Sequence, residues 1–546
     1  MVKVVLSKKR LLKSLDKLSD EQLREYLPQI KCGVEAINEN EIEVEITSDR
    51  PDLLSTDGIA RALNGWLGKH VGLPKMNIKP PETLIEVEES VAGIRPIIVG
   101  AVVHGIKLSD DDLVDLMQQQ ERLHQTHGRR RKKVAIGVHD TDKVKGPFTY
   151  KAITPKSVKF VPLGWKHALS LEEILLTHEK GKDYAWVLEG LHKYPLLVDK
   201  HDEVLSFPPI INGALTTVTK GTQNLFIDVT GTDFDACNTA LNILCQDFSD
   251  RGAFVHGVTV KSPKATVVTP VTEPQKMRVS ATQINRLVGV KLYANDYAEL
   301  LKHQRLGTEQ KDDFIDVKIP RYRADFLHPI DIVEEAAIAY GLNKIAIREP
   351  DVFTKGSKSE LTYALNSFRD NLANAGFIEL NTPILTSEEL LRKCKVQKEP
   401  VKLSNPISTD FGVVRPVLWP GLLDVLSKNM HQPYPQKIFE VSETVTRDEK
   451  QDNKTRTEYH ISGVSCHANA SLTEIASVMN EVLRRKFGVE LEKLSHPALL
   501  EGRSAKVMLN GNNSGMVGEV HPEILEAFGL ELPCALFDVV VASVTE

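Results

Sequence analysis

The sequence predicts a multidomain protein of mixed α/β and α+β character, built as four modules in series. Three observations lead there. The chain has 546 residues, well beyond one ordinary domain. Strand-like alternation and helix-like periodicity interleave along its whole length. Two proline-bearing stretches, residues 71–84 and 263–274, read as linkers. The predicted modules are an N-terminal α/β unit (1–85), a mixed second domain (86–265), a small winged-helix-like module (270–348) and a large antiparallel sheet backed by helices (351–546).

Composition narrows the function classes. Hydrophobic residues make up 41% and charged residues 26%, ordinary for a globular chain. A formal net charge of −6 argues against an overall basic nucleic-acid coat and leaves room for a local groove. No apolar run has the length of a membrane span, so no membrane association is expected. The first residues, MVKVVLSKKRLLKSLDKL, lack an apolar signal core, and a cytoplasmic location is the expectation. Six cysteines lie scattered at 32, 237, 245, 394, 466 and 534 with no CxxC pair. That spacing argues against a cysteine zinc site or disulfide framework and for reduced thiols.

In the first module, residues 11–18 and 21–26 read as short helices, and EIEVEIT (41–47) as a half-buried strand. Pro51 breaks the strand, and Asp57 is the expected cap of a helix carrying Ile59, Leu63 and Leu67. Arg50 and Asp52 flank Pro51, a turn that reads as structural, with the guanidinium tying loop carbonyls or a carboxylate.

The second module opens with an apolar strand (94–106), then a Gln-rich helix (110–127). A run of five cations follows, Arg129 to Lys133. Such a run suits either a solvated turn or contact with a phosphate backbone. VAIGVHD (134–140) is the next strand. VLSFPPIINGALTTVTKGTQNLFIDVTGTD (204–233) has the makeup of a pocket for a polar small molecule. Asp228 and Thr230 alternate onto one strand face, and Ser206 can sit across from them. The sequence places no histidine there as a base, so no nucleophile triad is expected. A polar-capped sheet edge is the plainer alternative. Residues 235–248 read as a covering helix.

The third module has two short helices (280–292 and 293–307), a strand over 313–326, and the most acidic stretch of the chain, RYRADFLHPIDIVEEAAIAYG (321–341). Asp331, Glu334 and Glu335 fall on one helix face, with Asp325 just upstream. Two readings stay open. In one, Asp331 and Glu334 are capping-box partners with Glu335 solvated; in the other, the carboxylates hold Mg2+, since clustered acids repel unless a cation or basic partner sits among them. The fourth module is predicted to contain a helix over 361–376, a helix over 420–429 and several long strands, among them KIFEVSETV.

The ordered set SDRPDLLSTDGIARALNGWLG, KKVAIGVHD, SFPPIINGA, FIDVTGTD, RYRADFLHPIDIVEEAAIAYG, LSNPIS, VVRPVLWPGLLDVLSKN, PQKIFEVSETV and GEVHPEIL covers nearly the full chain. It resembles the β-subunits of archaeal and eukaryotic phenylalanyl-tRNA synthetases. The resemblance implies an α2β2 complex with an α-subunit, acting on tRNA(Phe) with ATP as a substrate of the complex. It implies that residues 351–546 form a degenerate class II synthetase domain. The sequence agrees independently: Val441 stands where a phosphate-binding arginine belongs, GEVHPEIL is no GxGxxR, and Arg415 reads as structural, so no ATP-binding residues are assigned.

The resemblance further implies a B3/B4-like editing domain in 86–265, which removes tyrosine wrongly attached to tRNA(Phe), with Leu197, Ser206, Asp228 and Thr230 as its pocket. A hydroxyl of substrate or tRNA is then the candidate activator of the attacking water. For the B5-like module (270–348), it implies Mg2+ ligands Asp325, Asp331, Glu334 and Glu335, with the ion shared with the α-subunit. Two other functions compete: a free-standing aminoacyl-tRNA deacylase and a non-catalytic tRNA-binding scaffold.

Overall fold

The computed structural model describes residues 2–15, 18–350 and 352–543. Residues 16 and 17 of the helix expected over 11–18, and residues 351 and 544–546 of the last predicted module, lie outside them. The chain forms two compact units, residues 1–349 and 350–546.

The first unit begins with a three-stranded antiparallel sheet in the order Val2–Ser7, Glu41–Ile46, Cys32–Ile37. Alternation in EIEVEIT puts Ile42, Val44 and Ile46 inside, all fully buried. The helices are Lys8–Ser14 and Asp20–Tyr26, the second held by a Ser19–Gln22 capping box. The helix after Pro51 spans Thr56–Trp66, and its N-cap is Ser55, not Asp57: the Ser55 hydroxyl accepts from the Gly58 amide. Asp57 instead pairs with Arg10. Arg50 and Asp52 form a buried two-bond pair, each bond 2.8 Å, as the turn chemistry suggested.

The core of this sheet continues without a break into the next. Leu6, Ile59 and Leu63 share one apolar cluster with Val99, Ile136, Ile227 and Leu241. Arg61 also crosses between the modules to Asp247 at 2.8 Å.

A ten-stranded sheet forms the centre of this unit. Two expectations fail here. Residues 71–84 are not simply a linker, because Ile78–Val87 is an internal strand of this sheet, paired parallel to Phe254–Lys261. Its prolines are tolerated because they fall where the register shifts. Residues 263–274 likewise include a strand, Thr266–Thr269, paired with Phe254–Lys261. The strands Ile97–His104 and Val134–Asp140 flank Asn224–Gly231, and helix Phe234–Asp250 covers them.

Residues 275–342 form a small sheet with three helices: Gln275–Ser280 and Gly307–Lys311 pair with Phe314–Ile319, packed by Ala281–Val288, Ala294–His303 and Pro329–Tyr340. The second unit holds a seven-stranded sheet, antiparallel except for the short pairing of Ile378–Glu379 with Gln436–Arg447. Phe439 and Val441 pack with helices Glu360–Asn374 and Leu472–Leu483. Ile438 packs on the other face with Trp419–Lys428 and Pro522–Phe528. Helices therefore cover both faces. All six cysteines are buried free thiols.

Candidate active site

Strand Asn224–Gly231 is buried on both faces, and it carries Asp228 and Thr230 on the same side. Ser206 lies on Val204–Phe207, which turns back through residues 208–213. These three residues line one cavity of about 520 Å³, shared with Gln120, His124, Trp165 and Pro208. All three are polar yet at most 2% exposed, so their hydrogen-bond valences matter.

Thr230 accepts from Arg95 Nε at 3.0 Å, and Arg95 also donates to the Thr230 carbonyl at 2.7 Å and the Lys132 carbonyl at 3.0 Å. The Thr230 hydroxyl proton is thereby left for another acceptor. Asp228 Oδ1 accepts from His139 Nε2 at 2.7 Å, while His139 Nδ1 faces the Thr216 hydroxyl at 2.7 Å. Among the described residues no donor bonds the second oxygen, Oδ2. Ser206 Oγ is buried with no hydrogen-bond partner among the described residues. An orphaned hydroxyl costs about 1–3 kcal/mol, a cost that a polar ligand would remove.

A histidine that sequence reasoning did not connect to this cluster, His139, stands beside Asp228, though not as a free base. It is fully buried on Val134–Asp140 and is joined to Asp228 across 89 residues of sequence. The alternation of VAIGVHD put a polar ring among apolar neighbours; that was the available signal. The ring is hydrogen-bonded on both nitrogens, so it orients Asp228 rather than facing the cavity as a free base. Gly137 leaves room for the pair: a Cβ there would stand 2.2 Å from Asp228 Oδ1 and 2.7 Å from His139 Nε2.

Leu197 is not brought to the cavity. It pairs with Ser206 across the strands but is fully buried among Phe148, Leu205 and Phe226. The basic run is not a solvated turn throughout. Arg129, Arg130 and Arg131 all have positive φ, and Arg131 is buried. It bonds Glu121 at 2.7 Å and the Ile210 carbonyl at 2.8 Å, and its guanidinium lies 4.3 Å from the Tyr184 ring centroid. Beside it, burial pushes His124 down to about 4. The neutral ring accepts from the Ile136 amide at 2.8 Å.

The acidic stretch is arranged differently. Arg323 holds Asp325 through two bonds of 2.8 and 2.6 Å and Glu335 through one of 2.8 Å. Burial works against the charge of Asp325, but Arg323 outweighs it and keeps the carboxyl well below the usual range. Lys31 pairs with Glu334 at 2.9 Å. Asp331 accepts the amides of Leu327 and His328 at 2.7 and 2.8 Å. The cap of Pro329–Tyr340 is therefore His328 with Asp331, not Asp331 with Glu334. Among the described residues these carboxylates do not converge as one group of ligand atoms: Arg323 takes both oxygens of Asp325, and one oxygen each of Asp331, Glu334 and Glu335 is held by backbone amides, Lys31 and Arg323. Of these four side chains, Glu335 Oε2 is buried without a partner among the described residues.

In the second unit Val441 is buried in the apolar core. Arg415 is buried too, bonded to Glu440 at 2.8 Å and to the Thr382 hydroxyl at 2.8 Å. Val441 offers no phosphate grip; Arg415 is held on one side, while its Nη2 is buried without a partner among the described residues.

Family models match two parts of the chain: the tRNA synthetase B5 domain over residues 277–342 and the phenylalanyl tRNA synthetase beta chain CLM domain over residues 345–541. Curated relatives named phenylalanine–tRNA ligase beta subunit extend the similarity to nearly full length. That of Methanothrix thermoacetophila is 39% identical over 94% of this chain and 95% of its own. That of Methanosarcina barkeri is 39% identical over 95% of both. The crystal structure of an N-terminal fragment of the phenylalanyl-tRNA synthetase β-subunit from Pyrococcus horikoshii matches with a TM-score of 0.60 and 37% identity, covering 62% of this chain and all of the fragment. On identity and coverage together, the chain belongs to the phenylalanine–tRNA ligase β-subunit family, ligase subunits of an aminoacyl-tRNA synthetase.

Proposed function

We propose that this chain acts with an α-subunit in an α2β2 phenylalanine–tRNA ligase, and that its own chemistry is hydrolysis of tyrosine from mischarged tRNA(Phe) in the cavity of Ser206, Asp228 and Thr230. ATP and Mg2+ are used at the α-subunit's synthetic site; the buried Val441, standing where a phosphate-binding arginine belongs, supports a second unit without one. No step is assigned to an ion at Asp325, Asp331, Glu334 and Glu335.

The observation that carries the reading is the set of open valences in the cavity. A tyrosine phenol donates to Asp228 Oδ2 and accepts from Thr230 or Ser206. Phenylalanine fills the same volume but leaves a buried carboxylate and an orphaned hydroxyl unmet. A site built to bond a hydroxyl rejects the analogue lacking it by about 10⁴–10⁵-fold, whereas an apolar synthetic pocket excludes an added hydroxyl only by about 10²-fold. The two sites are thus complementary. In the reaction, water oxygen bonds to the ester carbonyl carbon, the ester C–O bond breaks, and the proton passes to the departing ribose oxygen. Tyrosine and free tRNA(Phe) result.

The reading is tested by deacylation of Tyr-tRNA(Phe) in the assembled α2β2 enzyme. Asp228→Ala is expected to lower hydrolysis by at least about tenfold, the loss of one charge-assisted hydrogen bond, while phenylalanine charging persists. Unchanged hydrolysis refutes the pocket and favours the scaffold reading. Full activity of the chain alone, without its partner, favours the free-standing deacylase.

A further inference from the structure

A second polar group converges on the same sheet face as Asp228. His104 pairs with Asn224, which lies four residues before Asp228 on one strand, so all three share a side. Three adjacent strands contribute: His104 ends Ile97–His104, His256 lies on Phe254–Lys261, and Glu82 lies on Ile78–Val87. His104 Nε2 is 2.7 Å from Glu82 Oε1, and His256 Nδ1 is 3.2 Å from Glu82 Oε2. The two rings meet at 87° with centroids 4.9 Å apart. One ligand atom from each of the three residues lies within 4.8 Å of the others, the only such group of three among the described residues. The register shift presents Glu82: Pro80, Pro81 and Glu82 stand opposite Gly257 alone.

The hydrogen bonds around His104 fix its proton. Asn224 Nδ2 donates to Asp142 at 2.9 Å, which orients the amide. Asn224 Oδ1 therefore faces His104 Nδ1 at 2.7 Å, and as a pure acceptor it requires the hydrogen on Nδ1. The Nε2 side of His104 therefore faces a carboxylate oxygen at 2.7 Å, a position that a proton on the ring or a metal ion fills.

We propose that Glu82, His104 and His256 form a binding site for a divalent transition-metal ion of the zinc class. Two imidazole nitrogens and one carboxylate, with a fourth position open to water, suit zinc; calcium and magnesium favour all-oxygen sets. Asn224 and Asp142 supply the outer support that such histidines use. The ion ties three central strands together at the opposite end of Asn224–Gly231 from Thr230. The cysteine spacing that argued against zinc is silent on this site, whose ligands are 22 and 152 residues apart along the chain (104 − 82 and 256 − 104).

The test is calorimetric titration of the chelator-treated full-length chain with zinc chloride, followed by cobalt(II) substitution to read the ligand field. One equivalent of zinc is expected, with a cobalt spectrum of low coordination number. His256→Gln and Glu82→Gln, at partly exposed positions, are expected to keep the melting temperature of the metal-free chain and to weaken zinc by at least about tenfold. Asn224→Ala, which removes only the outer support, is expected to weaken it by about 10- to 100-fold. No equivalent in the parent chain overturns the proposal. So does unaltered affinity in both His256→Gln and Glu82→Gln, which would put the ion on others of the chain's 17 histidines.

Discussion

The cavity around Asp228 and the acidic stretch at 321–341 both gather polar side chains, yet they are opposites. In the acidic stretch nearly every charge is answered: Arg323 takes Asp325 and Glu335, Lys31 takes Glu334, and backbone amides take Asp331. In the cavity the valences are left open, at Ser206 Oγ, Asp228 Oδ2 and the Thr230 proton. The difference teaches that a density of acids in the sequence marks charge to be neutralised, whereas several unmet valences lining one cavity mark a ligand.

The comparison breaks most visibly at Arg323. If it is the cation that the acidic stretch is built on, Arg323→Ala strands two buried carboxylates and costs about 3–5 kcal/mol in denaturant unfolding of the chain. A loss below about 1 kcal/mol, or a full rescue by Mg2+, would restore the ion-binding reading.

On the cavity side, His124 gives a pH signature. Its folded pKa, about 4, lies below the ordinary value of 6.5. The unfolded state therefore binds the extra proton first. The contribution is complete above pH 6.5 and is lost as pH falls from 6.5 towards 4, by up to about 3 kcal/mol. His124→Gln is expected to flatten that part of a stability–pH curve; an unchanged slope would mean the ring is not held neutral.

Gly137→Ala sharpens the role of the Asp228–His139 pair. The added methyl collides with both, costing about 1–3 kcal/mol and lowering Tyr-tRNA(Phe) hydrolysis, measured by melting and deacylation. A methyl accommodated with full activity would show that the pair can shift without loss. The smallest effect is expected at Glu334, whose side chain is 57% exposed beside Lys31. Glu334→Gln should change stability by less than about 1 kcal/mol.

Much of this was legible in the sequence. Period-two alternation located Glu41–Ile46, apolar strand-like runs located Val134–Asp140 and Asn224–Gly231, and strand geometry put Asp228 and Thr230 on one face. What failed depended on partners distant in sequence. Ile78–Val87 looked like a linker because its prolines are local and its sheet neighbours, Phe148–Ile153 and Phe254–Lys261, are not. His139 looked like any strand residue until Asp228 was beside it. Leu197 came from resemblance alone, and its position among Phe148 and Phe226 gives it packing but no contact with the cavity. Arg323 was counted with the acids as their neighbour, yet whether it neutralises them or a metal does is a matter of geometry.

The central claim is tested most directly by one paired measurement: Tyr-tRNA(Phe) deacylation by α2β2 enzymes carrying Asp228→Asn or Glu334→Gln, at fixed Mg2+. The two substitutions each remove one carboxylate charge at nearly constant shape. The account predicts hydrolysis lowered by at least about tenfold in the first and unchanged in the second. Normal hydrolysis with Asp228→Asn alongside a loss with Glu334→Gln would contradict it.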